Sequence, residues 1–133
     1  MYRPAGGRLA GMLLRDAVPG DARGWAAVLR AVSPYLVTSA AKVGHDMAAG
    51  PAGLHRQVAL DGSRVVGICR VRPHGSRFLL QLQVMPGHRG LGIGSALLGA
   101  AVPRVAGRPL EVIVNGDPES LSAAARWGFE LVH

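Results

Sequence analysis

Lysine is almost missing from this sequence. Lys42 is the only one, so arginine carries nearly all of the positive charge. Cysteine is as scarce: Cys69 stands alone. A single cysteine rules out an internal disulfide framework and forms no cysteine metal cluster, so no metal site is expected. Long apolar runs are lacking too. None approaches the roughly 18 residues that a membrane-spanning helix requires. The opening MYRPAGGRLAGMLL makes a poor secretory signal, because its apolar core is only Met12 to Leu14. A cytoplasmic location without membrane contact is the default expectation. Internal repeats and low-complexity linkers are also absent.

The formal net charge is +7 over 133 residues. Such a balance favours anionic partners. A bacterial-like, GC-rich composition produces the same excess of Arg, Ala, Gly and Val. The arginines are scattered from Arg3 to Arg126, and no dense basic block alternates with aromatics. That spread argues against a nucleic-acid interface. An anionic cofactor accounts for a basic face equally well. About half of the residues are apolar (49%), enough for a buried core in one domain. Residues 1–11 read as a flexible extension and 12–133 as the domain.

Met12 to Arg15 suggests a short strand. Asp21 is placed to cap a helix whose apolar face is Trp25, Val28, Leu29 and Val32, at positions i, i+3, i+4 and i+7. Ser33-Pro34 ends it. A second helix is expected around Thr38 to Met47. Gln57 to Leu60, Val65 to Val71 and Phe78 to Val84 read as strands. They are separated by the hairpin turn Asp61-Gly62 and by a turn over Arg72 to Arg77. Ile93, Ala96, Leu97 and Ala100 trace another helical face, closed near Pro103. Leu110 to Val114 is a strand of the buried kind. Asp117-Pro118 opens a last helix, Gly128 closes it, and Phe129 to Val132 begins a further strand. Early hairpins followed by helix–strand alternation imply an α+β sheet with mixed pairing.

The stretch QVMPGHRGLGIGSALL, Gln83 to Leu98, has four glycines within eight residues: Gly87, Gly90, Gly92 and Gly94. A helix opening near Gly92 would present free backbone N–H groups and the positive end of its dipole. Glycine lets the chain approach a ligand closely. Together these features suit a phosphate or pyrophosphate, with Arg89 adding a fork of donors. A Walker A loop would need a Gly-Lys-Ser/Thr end, and no lysine occurs here. A dinucleotide G-x-G-x-x-G starting at Gly90 would place its last glycine at Ser95. A purely structural turn is the plain alternative.

The order of residues narrows the choice. V-x-P-x-x-R-G-x-G-x-G (Val84, Pro86, Arg89, Gly90, Gly92, Gly94) follows an apolar strand. It resembles the acyl-CoA signature of the GNAT family of N-acetyltransferases. LLRDAVPGDARGWAAVL is similar to that family's first strand and helix, and RWGFE (Arg126 to Glu130) to its late Y-x-x-x-G-F segment. The resemblance spans roughly residues 12–132. It implies a GNAT fold: an α/β/α sandwich-like, mostly antiparallel mixed sheet with helices on both faces. It also implies acetyl-CoA as cosubstrate. The backbone of Arg89, Gly90, Leu91, Gly92, Ile93, Gly94 and Ser95 would cradle the pyrophosphate. Leu82, Gln83 and Val84 would pair with the pantetheine arm. The Val84 N–H would face the thioester oxygen, where a fixed dipole stabilises the oxyanion.

Two familiar proton-handling groups of that family are missing. Its fourth-strand glutamate is replaced by Gln81 and Gln83, which cannot take a proton at neutral pH but can hold a water or orient a substrate. Ala124 stands where a tyrosine acid is common, and Ser120 and Ser122 lie earlier. Asp117 matches a cofactor-contacting Asn, although its ordinary role would be an N-cap. His45 falls in the segment that walls the acceptor in the family; as a bland alternative it is a surface histidine. His88 is expected to face solvent or phosphate. Cys69 is expected to be a small buried apolar residue. Tyr35 suits the acceptor pocket or core packing. The family's closing strand pair has no counterpart after GFE, so the C-terminal hairpin reads as truncated. A homodimer or a second domain is then expected to complete the sheet. The expected activity is acetyl transfer from acetyl-CoA to an amine acceptor by direct attack on the thioester. The alternative is a non-catalytic acyl-CoA-binding or regulatory module.

Overall fold

The computed structural model describes residues 12–33, 38–48, 54–105, 107–112, 124–126 and 128–129. The expected extension over 1–11, together with Tyr35, Asp117, Ser120 and Ser122, lies outside the described residues. So do residues 130–132 of the expected last strand.

The strands are β1 (Met12–Asp16), β2 (His55–Asp61), β3 (Arg64–His74), β4 (Arg77–Val84) and β5 (Leu110–Val112). They form one sheet in the order β1-β2-β3-β4-β5. The first four pair antiparallel, while β5 runs parallel to β4. The helices are α1 (Ala22–Val32), α2 (Ala40–Ala48) and α3 (Ile93–Ala101). The α+β class with mixed, mostly antiparallel pairing is therefore borne out.

Alternation along the strands sorts side chains to two faces. On one face Ala59, Val66, Cys69, Val71, Phe78, Leu80 and Leu82 pack with Ile93, Ala96 and Leu97 of α3. On the other, Val58, Leu60, Val65 and Ile68 pack with Trp25, Ala26, Val28 and Leu29 of α1 and Val43 of α2. A bulge at Ala59/Leu60 gives β3 one extra residue. The bulge lets Val65 and Ile68, three residues apart, bury on the same face. The close seat of α3 depends on Gly67: a Cβ there would fall 2.9 Å from Ile93 Cγ2 and 3.0 Å from Leu97 Cδ1.

Local details correct several expectations. The β3–β4 hairpin is tighter than the Arg72 to Arg77 turn suggested, because β3 continues to His74 and only Gly75-Ser76 turn. Pro73 is tolerated in the strand because it faces Phe78 at a non-hydrogen-bonded position, where no N–H is needed towards β4. Helix α2 starts at Ala40, after Ser39 Oγ accepts the Lys42 N–H at 3.1 Å. Asp21 precedes α1 but makes no side-chain cap to it. Its carboxylate accepts the Val18 N–H at 2.8 Å and is gripped by both terminal nitrogens of Arg15, at 2.7 and 2.9 Å. Gly128 (φ +87°) closes the helical turn at 124–126 as expected. Its N–H donates to the Ala125 carbonyl, and the Phe129 N–H to that of Ala124.

Candidate functional site

The glycine stretch forms a strand–turn–helix junction. β4 ends at Val84, a single 3-10 turn covers Pro86–His88, and α3 starts at Ile93. Gly92 is the residue before the helix and has φ +87°; Gly90 has φ +79°. Side chains other than glycine, and to a lesser degree Asn or Asp, resist that backbone. The first intrahelical bond runs from the Ala96 N–H to the Gly92 carbonyl, 3.0 Å. The N–H groups of the first turn therefore have no partner within the helix. A Cβ on Gly90 would meet nothing within 4 Å, so the turn is open on that side. Arg89, Gly90, Gly92 and Ser95 are exposed, Leu91 and Gly94 half-buried. Ile93 is different: its side chain is fully buried in the core, leaving only its backbone available to a ligand.

The direction of the β4 backbone follows from two hydrogen bonds. The Phe78 N–H donates to the Pro109 carbonyl at 2.9 Å, towards β5. The Met85 N–H donates to the Val66 carbonyl at 2.8 Å, towards β3. Strand alternation then turns the N–H groups of Leu82 and Val84 to the β5 side. There the last described pair is Leu80 with Val112. An extended ligand arm along this side would run past both positions.

Side chains of β4 divide by the same alternation. Leu82 and Val84 pack on the α3 face. Gln81 and Gln83 are half-buried and share the α1 face with their cross-strand partners Arg70 and Ile68. Two more arginines stand on that face: Arg56, opposite Arg70 on β2, and Arg72, two residues further along β3. The row Arg56, Arg70, Gln81 thus crosses three strands. Sequence reading missed it. The one available signal was the i, i+2 spacing of Arg70 and Arg72; the pairing of Arg70 with Arg56 is set by sheet register alone.

The remaining candidates separate clearly. His88 does not face the loop: its Nε2 lies 3.2 Å from Asp61 Oδ2 in the β2–β3 hairpin. His45 is exposed on α2. Cys69 is buried, and burial pushes its thiol up to about 12. It is inert packing, as expected, since a nucleophile needs the thiolate. Ala124 is buried. A cavity of about 260 Å³ lies at the other edge of the sheet, between Asp16, Val18, Met47 and Arg56. It is separate from the glycine turn. Among the described residues no group of His, Cys, Asp or Glu could hold a metal, and no helix is long and apolar enough to cross a membrane.

This sheet, with one parallel edge pair and a glycine turn opening a helix beside it, is the architecture of an acetyltransferase. The sequence profile of the acetyltransferase (GNAT) domain matches residues 54–130. The chain belongs to the GNAT acetyltransferase family. Solved structures agree on the fold. A phosphinothricin acetyltransferase from Sinorhizobium meliloti, in complex with acetyl-CoA, superposes with a TM-score of 0.77 at 26% identity, covering 92% of this chain and 77% of that one. AAC(6')-Iy, in complex with a bisubstrate analogue, CoA-S-monomethyl-acetylneamine, gives 0.75 at 14% identity, with 92% of each chain covered. A GNAT acetyltransferase from Streptococcus pneumoniae gives 0.75 at 19%, covering 92% and 86%. A comparison with curated protein sequences finds no match.

Proposed function

We propose that this protein transfers an acetyl group from acetyl-CoA to the amine of an acceptor, by direct attack on the thioester. The observation that carries this reading is the junction at Val84 to Ser95. A helix N-terminus opened by a left-handed Gly92 lies next to a strand whose Leu82 and Val84 N–H groups face away from β3. The fit to coenzyme A is chemical: exposed backbone donors and a helix dipole for a pyrophosphate, and strand donors for the amides of an extended arm. When bound, acetyl-CoA supplies an activated acetyl group on a sulfur leaving group.

The chain's own residues then have defined tasks. The backbone from Arg89 to Ser95 holds the phosphates. Leu82 and Val84 align the arm, which makes the attack effectively intramolecular, while the backbone of Gln83, expected to share this task, points to Ile68 of β3 instead. The Val84 N–H stabilises negative charge developing on the carbonyl oxygen. Gln81 and Gln83 orient a water or the acceptor, since an amide does not take a proton at neutral pH. The C–S bond breaks as the C–N bond forms and the amine proton leaves to water; with a thiol pKa of about 8.5 the thiolate departs without much help from an acid, which makes Ala124 tolerable.

Calorimetric titration with acetyl-CoA tests the site, and saturable binding is expected. Absence of binding at high micromolar ligand overturns the reading. Gly92→Asp should abolish binding by bringing a carboxylate to the phosphates, whereas Gly92→Asn, which also tolerates the left-handed backbone, should retain most of it. Equal affinities for the two variants would count against the loop assignment. Release of coenzyme A thiol above background in a panel of amines distinguishes an enzyme from a binding module.

A further inference from the structure

The α1 face of the sheet holds more positive charge than folding alone explains. Arg56 and Arg70 sit directly opposite each other on β2 and β3. Like charges in that relation destabilise a sheet. Both are half-buried, and the Nε of each is buried with no hydrogen-bond partner among the described residues. Arg56 spreads its guanidinium over the Trp25 ring, 5.8 Å from the centroid. Among the described residues Arg70 has no such neighbour. Burial lowers its pKa, and the charges of Arg56 and Arg72 lower it further. Asp46 of α2 attracts both Arg56 and Arg70. Among the described residues, however, no carboxylate forms an ion pair with Arg56, Arg70 or Arg72. A buried, unpaired donor on a charged group costs stability. Two such groups side by side, with the exposed Arg72 close by, are expected where an anion is meant to bind.

Its position says which anion. Arg70 faces Gln81, the residue beside Leu82 on β4. It is three residues along the strand from Val84, roughly 10 Å. An acceptor reaching the Leu82–Val84 edge from the α1 face therefore passes the Arg70–Gln81 pair. A guanidinium fork and a neighbouring amide together match the lone pairs of one carboxylate. We propose that the acceptor amine also carries a carboxylate, and that Arg70, flanked by Arg56 and Arg72, binds it. This specificity rests on the acetyl-transfer reading above.

The test uses the full chain, acetyl-CoA and paired amines: L-amino acids and β-alanine, each beside its own carboxamide. Thiol release is measured for both members. The carboxylate form should be used at least about tenfold more efficiently, through a lower KM. In Arg70→Gln that preference should collapse while acetyl-CoA affinity stays unchanged; Arg70→Lys should keep part of it. Relief of repulsion should leave the melting temperature of Arg70→Gln equal or higher. Acetyl-CoA binding with equal use of both forms, or with use of neither, overturns the carboxylate proposal and leaves the cofactor site standing. So does a preference that survives Arg70→Gln. A melting temperature that falls in Arg70→Gln would show a packing role instead and also overturn it. No acetyl-CoA binding removes both readings together.

Discussion

Asp21 and Arg15 show how one residue can be read correctly by type and wrongly by partner. An aspartate just before an apolar helical face signals a cap. In the fold its carboxylate instead ties the turn at Pro19–Asp21 back to β1 through Arg15 and takes the Val18 N–H. Arg15 is the main reason that its pKa lies below the usual carboxylate range; the Val18 N–H adds to this, and burial opposes it. A carboxyl whose pKa is lowered on folding contributes stability above its unfolded pKa and loses it as pH falls. Asp21→Asn should therefore melt at a lower temperature than the parent at pH 7. The gap should narrow on acidification below about pH 4. Thermal melts across pH check this; a gap that is constant with pH would rule out the charge as its cause.

At the scale of elements, the working unit is α3 against β3 and β4. The helix must start at a fixed place for its first N–H groups to lie beside the end of β4. Gly67 sets that place, because any side chain there meets Ile93 and Leu97. Gly67→Val should cost about 1–3 kcal/mol by overpacking. It should also weaken acetyl-CoA binding without touching the loop. Denaturant melts and calorimetry on the same variant test the coupling; a destabilised variant of unchanged affinity would separate helix seating from the site. Most elements were legible from periodicity: α1 from Trp25, Val28, Leu29 and Val32, and β3 from its β-branched run. The errors fell where tertiary pairing overrides local signals. Turn-forming residues at Arg72 to His74 pair with β4 all the same, because an eleven-residue β3 gains ladder bonds that an early turn would forfeit.

For the whole molecule, charge is the property with the widest consequence. A chain of net charge +7 should draw a polyanionic cosubstrate by long-range attraction. Acetyl-CoA affinity is expected to fall as sodium chloride rises from 50 to 500 mM, because screening shortens the Debye length from about 14 to about 4 Å. Titrations at the two salt concentrations measure it, and a flat response would place binding in uncharged contacts alone. The same arginines, read along the chain, are scattered. Only in the sheet do Arg56, Arg70 and Arg72 gather on one face.

By itself, the sequence determined the elements and the glycine turn. Apolar spacing and the order Val84, Pro86, Arg89, Gly90, Gly92 and Gly94 are local, and local geometry follows from local chemistry. It also determined that glutamines stand on β4 where a carboxylate base is common. Only the tertiary structure decided what lies beside what. Asp21 took Arg15, His88 took Asp61, and Arg70 met Arg56 and Gln81 across the sheet. Register between strands is chosen by burial on both faces at once. No stretch of sequence read alone contains that choice.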